Sequence, residues 1–385
     1  MLGISTKADK ADTVLTTTLS RGRAADTYAG TGSFAFGDIV TASGNYSHAE
    51  GYNTNASGAY SHTEGDGTSA SADRSHAEGR DTTATGNQSH AEGYNTTAEG
   101  TSSHAEGNGT SATYEAAHAE GYGTTASSSY AHAEGQSSTA SSAGAHAEGY
   151  STAASGSYSH TEGYSTSASA QAAHAEGQGG TYTISGTTYT SGAKGTADHT
   201  EGYQCLTQSN MPGNHAEGYQ TRATGGGAHS EGQLSVASGF VSHAEGSSTT
   251  ASNSYAHAEG QSTTASGIAS HAQGYQVTAS GQNSHAEGQS TTVSGGNSHV
   301  EGFYATVSGN TAHAEGYYTT ASGACSHVSG KYNVEDSYSN WDEWIANTSY
   351  SVGDKVKRTS GTSALGYICK TANSDSTFTS SKWTA

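Results

Sequence analysis

The sequence predicts an all-β solenoid, and three observations carry that reading. Twenty histidines stand in the 385-residue chain, and all but two open the phrase His-x-Glu-Gly. They recur every 14 residues from His48 to His174 and again from His215 to His327. A fixed period of this length marks stacked coils, each too small to bury its own face alone. Composition agrees: 53 glycines, one proline, five phenylalanines and 31% hydrophobic residues leave no material for a large apolar core. Backbone hydrogen bonds and close contact of small side chains must hold such a chain. Much Gly and Ser also marks disorder, but a disordered tract keeps no register over twenty copies.

The opening segment, residues 1–26, breaks the period. It carries Lys7-Ala8-Asp9-Lys10-Ala11-Asp12 and is expected to be an attachment segment leading from a larger particle. No basic-plus-apolar leader follows Met1, and no apolar run approaches the ~18 residues of a membrane span, so neither a signal peptide nor membrane insertion is expected.

Residues 27–333 form the repeat region. A typical coil reads Ser-His-Ala-Glu-Gly-x-x-Thr-Thr-Ala-Ser-Gly-x-x, with Val293 for Ala in the coil from Ser284 to Asn297. Side chains alternate along a strand, so Ser, Ala and Gly share one face while His and Glu share the other. The small face is a tight interior. Thr-x-Ala-x-Gly supplies a second short strand, and the glycines are expected at bends that want positive φ. At about 4.8 Å per coil the shaft would be on the order of 100 Å long.

One degenerate coil indicates what the His and Glu face meets. In Ser33-Phe34-Ala35-Phe36-Gly37, two aromatics occupy the His and Glu positions. Large apolar rings there suit a face covered by another subunit.

Ser-x-Ala-x-Gly on this period, with Ser33 to Gly37 the nearest match, resembles the head repeats of trimeric autotransporter adhesins. That resemblance implies a trimeric left-handed parallel β-roll of 14 residues per coil, followed here by a small C-terminal β-domain. It further implies a trimer-axis ladder of Phe34, Phe36, His48, Glu50, His62, Glu64, His76, Glu78, His90, Glu92, His104, Glu106, His118, Glu120, His132, Glu134, His146, Glu148, His160, Glu162, His174 and Glu176, running on to His313 and Glu315. The family places Val and Ile where this chain has His and Glu. His-Ala-Glu-Gly repeats introduced by Thr13-Val14-Leu15 through Ser20-Arg21-Gly22-Arg23 look more like bacteriophage tail fibre or tail-spike proteins.

Two uses of the ladder are open at this stage. Each His can hydrogen-bond a Glu of a neighbouring chain or coil, giving a satisfied polar core and raised histidine pKa values, so that stability would be greatest at low pH. Alternatively, three imidazoles converging on the axis, with His48, His62, His76 and His90 as candidate ligands, would take a divalent transition metal. Some phage tail fibres hold iron between three chains through His-x-His, to which His-x-Glu is similar in part. No cofactor is required by the first use. Gln273 and Ser329 replace Glu in two coils, and the Gln is expected still to accept a hydrogen bond.

Two lateral insertions are expected, near 178–198 and 203–214. Thr181 to Thr190 reads as a hairpin around Ser185-Gly186 that projects sideways, and Met211-Pro212-Gly213 as a turn. Tyr52, Tyr94, Tyr122, Tyr150 and Tyr164 follow the motif glycine and should stack along the outside, on the turns or as a sugar-binding stripe.

Residues 334–385 differ in composition, holding all three tryptophans. Trp344 followed by Tyr350-Ser351-Val352-Gly353-Asp354-Lys355-Val356, with Trp383 at the end, resembles the small chitin-binding type of carbohydrate-binding module. Trp341, Trp344, Tyr350, Tyr367 and Trp383 are the glycan-binding candidates. The paired tryptophans of that family's sugar platform are absent from Thr371 to Lys382, and a mini-core is the competing role for Tyr350 and Trp383.

Net charge is −20, yet 18 of 34 acids are ladder glutamates, leaving 16 acids against 14 bases, so the acidity belongs to the ladder and no nucleic-acid partner is expected. Cys205, Cys325 and Cys369 have neither disulfide-framework nor metal spacing. Twenty like copies are a scaffold rather than an asymmetric catalytic constellation, so no enzyme and no catalytic residue is expected. The expected protein is a homotrimeric, structural and receptor-binding fibre of a phage tail or related particle. Its N-terminus would join a virion or baseplate protein, and its C-terminal module and lateral loops would meet a bacterial surface glycan. A bacterial cell-surface trimeric adhesin is the leading alternative; a metal-loaded, enzymatic or ice-binding monomeric solenoid is the third. The expected location is the virion or the extracellular space.

Overall fold

The computed structural model describes residues 29–208 and 211–333, Ser349, and the backbone strands Leu19–Arg23, Asp342–Glu343, Lys355–Ser360, Ser363–Cys369 and Trp383–Thr384. The fold is all-β, a parallel β-solenoid of about 21 turns of about 14 residues. The chain divides into two compact units, Met1–Ser252 and Asn253–Ala385.

Each coil carries a five-residue strand on the histidine motif, such as His104–Asn108, and a two-residue strand further on, such as Ser111–Ala112. Within each unit, strands of successive histidine coils pair in parallel and in register: His104 lies between His90 and His118, and Glu106 between Glu92 and Glu120. Equal period and unbroken register put identical residues in columns. In the first unit the sheet begins with Leu19–Arg23, paired to Phe34–Ala42, so it starts inside the segment expected to be an attachment arm.

The interior is as narrow as the small face requires. Ala91, Ala98, Ala105 and Ala112 are fully buried, and buried Ser and Thr flank them. In the second unit Val293, Val300 and Val307 take the same columns. Buried serine hydroxyls close the coil corners by donating to the carbonyl three residues back, as from Ser89 to Gly86 at 2.7 Å. The motif glycine is compulsory for two reasons. Gly107 has φ +114°, and a Cβ there would run into the carbonyl oxygen of Gly121 in the next coil.

The corners depart from the expected glycine bends. Each is turned by a left-handed residue, and mostly it is not glycine: Tyr46 (φ 58°), Asn53 (φ 52°) and Tyr60 (φ 60°) alternate along the chain. A non-glycine residue held there costs about 1 kcal/mol or more. The cost is offset by ladder bonds, since the Asn53 and Tyr60 amides donate to Asp38 and Asn45 at 2.9 and 2.8 Å.

The first insertion forms the expected antiparallel hairpin, Thr181–Ile184 with Thr187–Thr190, turning on Ser185 and Gly186, both at positive φ. It does not project freely. Tyr182 is 6% exposed, and the Arg222 guanidinium of a later coil sits 4.3 Å from the Tyr189 ring centre. At the second insertion, Asp198 and Asn214 replace the corner serine. Asp198 accepts from the amides of Gly195 (2.8 Å) and Asn214 (2.9 Å), and Asn214 accepts from the Ala228 amide (2.9 Å). These longer side chains carry the corner bonds across coils of altered length.

In the second unit, Asp342–Glu343, Lys355–Ser360, Ser363–Cys369 and Trp383–Thr384 pair in that order as a four-stranded sheet. Tyr367 pairs with Val356 and Trp383 with Cys369. Trp341, Trp344 and Tyr350, three of the glycan-binding candidates, lie outside the described residues, as do the side chains of Tyr367 and Trp383.

Candidate functional site: the histidine and glutamate ladder

Strand alternation turns His and Glu away from the alanine interior, and unbroken register stacks them coil upon coil. Neighbouring imidazoles lie 4.6 to 4.9 Å apart, as for His62 with His76 (4.6 Å) and His104 with His118 (4.9 Å). Between His104 and His118 the planes are 3° from parallel. The column begins on Phe34, whose ring meets His48 edge-on at 4.8 Å. Phe36, in the glutamate column, is 44% exposed.

Many of the rings also face the glutamate two residues on, as at His48, His104 and His132. Nε2 to Oε2 distances run from 3.5 Å at His48 and Glu50 to 3.9 Å at His132 and Glu134. These are too long for hydrogen bonds. The Nε2 atoms of His76, His90, His132, His146 and His160, among others, are shut off from solvent without a hydrogen-bond partner. The expected polar pairing is therefore not what the ladder does within one chain; ring stacking takes its place. The side chains are half-buried, with His132 and Glu134 35% and 44% exposed. Where Gln273 replaces the acid, its amide donates to Glu259 at 3.2 Å rather than accepting.

The expected rise in histidine pKa is reversed at His62, His76, His90, His118, His132, His146 and His174. Burial of the rings lowers His132 to about 4, helped by the adjacent His118 and His146 and opposed by Glu148. Burial likewise lowers His76 to about 4, with His62 and His90 adding to it against Glu64 and Glu92. His62, His90, His118, His146 and His174 shift the same way, burial first. The proximity of glutamate suggested the opposite sign, but desolvation and stacking against like rings outweigh carboxylates that remain partly in water. These neutral rings keep an available nitrogen lone pair at pH 7.

The ladder thus presents recurrent groups of two imidazoles and one carboxylate. In His132, Glu134 and His146, one ligand atom from each lies within 4.8 Å of the others; His146, Glu148 and His160 repeat the arrangement, as do His174, Glu176 and His199.

Outside the ladder, Tyr150 stacks on Tyr164 at 5.0 Å and Tyr203 on Tyr219 at 4.9 Å. Stacked this closely, the rings present edges and hydroxyls rather than open faces. Phe303, Tyr304, Tyr317, Tyr318 and Tyr332 form a denser aromatic cluster in the second unit, which the sequence reading missed because its rings straddle two columns. Cys205 is a buried filler of the threonine column, its thiol donating to the backbone carbonyl of Glu201 at 3.0 Å and pushed up in pKa by burial. Among the described residues no helix is long and apolar enough to cross a membrane. No protein-family model matches this chain, and no curated protein matches it.

Proposed function

We propose that this chain is a structural and receptor-binding fibre subunit, assembling as a homotrimer of left-handed β-rolls around the His and Glu ladder. The observation that carries the reading is the ladder itself. It is a strip of stacked rings in which buried Nε2 atoms such as those of His132 and His146 lack a hydrogen-bond partner; it begins on Phe34, and Phe36 at the head of the glutamate column is 44% exposed. A regular half-covered strip of this kind gains by being covered, and identical copies in identical register are the simplest cover. The resemblance of the repeat to tail-fibre and adhesin sequences supports a phage tail or related particle as the setting, with bacterial surface glycan as the receptor. Its residues act as a scaffold, not a catalyst.

Native mass spectrometry of the purified protein tests the assembly: a mass of three chains is expected, and a single chain would sink the axial model. An array of bacterial surface glycans tests the receptor. Binding that disappears in a chain ending at residue 333 is expected, whereas no binding by the full chain would remove the receptor role.

A further inference from the structure

We infer that the ladder is a linear series of transition-metal sites, each built within one chain from two consecutive histidines and the intervening glutamate, with His132, Glu134 and His146 as the pattern. The donors are those that Zn(II), Co(II) or Ni(II) prefers, and three protein ligands leave a further position for water. Two atoms bound to one tetrahedral ion at about 2.1 Å stand about 3.4 Å apart. His132 Nε2 and Glu134 Oε2 are 3.9 Å apart, too far to bond each other and a few tenths of an ångström from sharing an ion. The His146 ring, stacked 4.6 Å away and nearly parallel, supplies the third ligand by tilting out of the stack, since two nitrogens on one ion stand no more than about 4.2 Å apart.

Two further observations separate ligation from packing as the reason for histidine. The Nε2 atoms of His132, His146 and His160 are buried without a hydrogen-bond partner, which leaves a polar atom unsatisfied unless something is bound there. Phe34 occupies the same column position and meets His48 edge-on, so the column accepts an aromatic ring that offers no ligand atom. Packing alone does not call for twenty histidines.

The arrangement limits its own loading. His146 belongs both to the group with Glu134 and to the group with Glu148, and one ring nitrogen holds one ion, so adjacent sites compete. Saturation falls at one ion for every two histidines. Each ion ties coil to coil, adding a link along the direction in which a solenoid frays.

The test is titration of the chelator-stripped full chain with Co(II) and Zn(II), counting ions per chain by native mass spectrometry and following Co(II) absorption. The expected result is several ions per chain, up to half the number of histidines, with visible bands of nitrogen and oxygen ligation and a raised melting temperature that chelator reverses. A triple variant, His132→Phe, His146→Phe and His160→Phe, should keep its circular dichroism and hold at least one ion fewer per chain; Glu134→Gln with Glu148→Gln should weaken binding while preserving the stack. No bound ion, or an unchanged count in the triple variant, would overturn the proposal. One ion for each three chains would also overturn it, in favour of an axial site between chains. Since the count is made per chain, it is read independently of whether the fibre assembly itself holds.

Discussion

His132 and His146, one coil apart, stack with ring centres 4.6 Å apart and planes 6° from parallel. That contact makes each imidazole a poor place for a proton, because the charged form loses water and faces like rings on both sides. His132 is held to about 4 against an ordinary 6.5, with His118, His146, Glu134 and Glu148 as the titrating groups around it.

Metal-free protein should therefore lose stability in acid. Between about pH 6.5 and pH 4 the unfolded chain takes up protons that His76 and His132 refuse in the fold, so their contribution is fully present above the unfolded pKa and lost as pH falls through the folded one. Thermal melts in chelator should show a midpoint that is flat above neutrality and drops through this window. A midpoint that rises on acidification would restore the glutamate-paired ladder expected from sequence.

The threonine column gives a second expectation. Thr96 is fully buried and its hydroxyl has no partner, as is true of Thr82 and Thr110 on either side of it in the column. Val277 takes the same slot in the second unit at 0% exposure, so an isosteric methyl fits. Thr96→Val should stabilise by about 1 kcal/mol, since an unsatisfied buried hydroxyl is removed at almost constant volume. Chemical denaturation with unchanged m-value is the measurement; destabilisation would mean that the hydroxyl is satisfied in solution.

The parts legible in the sequence are those set by local chemistry repeated in register. Period, alternation and alanine columns follow from side-chain size, and the hairpin at Ser185-Gly186 follows from turn propensity. What was not legible depends on neighbours a coil or more away. The left-handed corners fall on Tyr46, Asn53 and Tyr60 alike, residue types with no common preference, because hydrogen bonds to the adjacent coil impose the conformation. The sign of the histidine shift depends on a stacking distance that no spacing in sequence reveals. The pairing of Asp198 with Asn214 arises only where two coils of unequal length meet.

The hairpin's position is the plainest case of a distant determinant, and it yields a third expectation. Arg222 lies 32 or more residues beyond the hairpin, yet its guanidinium rests 4.3 Å from the Tyr189 ring centre, and Tyr189 stacks on Tyr182 at 5.5 Å. Tyr182 is buried deeply enough for its hydroxyl to be pushed up to about 12. A cation over an aromatic face is worth about 0.5 to 2 kcal/mol, depending on how far water is excluded. Removing it by Arg222→Ala should raise the population of the lifted hairpin by about 2- to 30-fold. The solenoid coils beneath keep their own backbone ladder, so the global melting temperature should move little. Limited proteolysis with mass mapping reads the difference as faster cutting between Thr181 and Thr190, with Arg222→Lys intermediate because it keeps the charge but not the planar stack. Equal cutting rates in all three proteins would show that Tyr182 burial alone seats the hairpin.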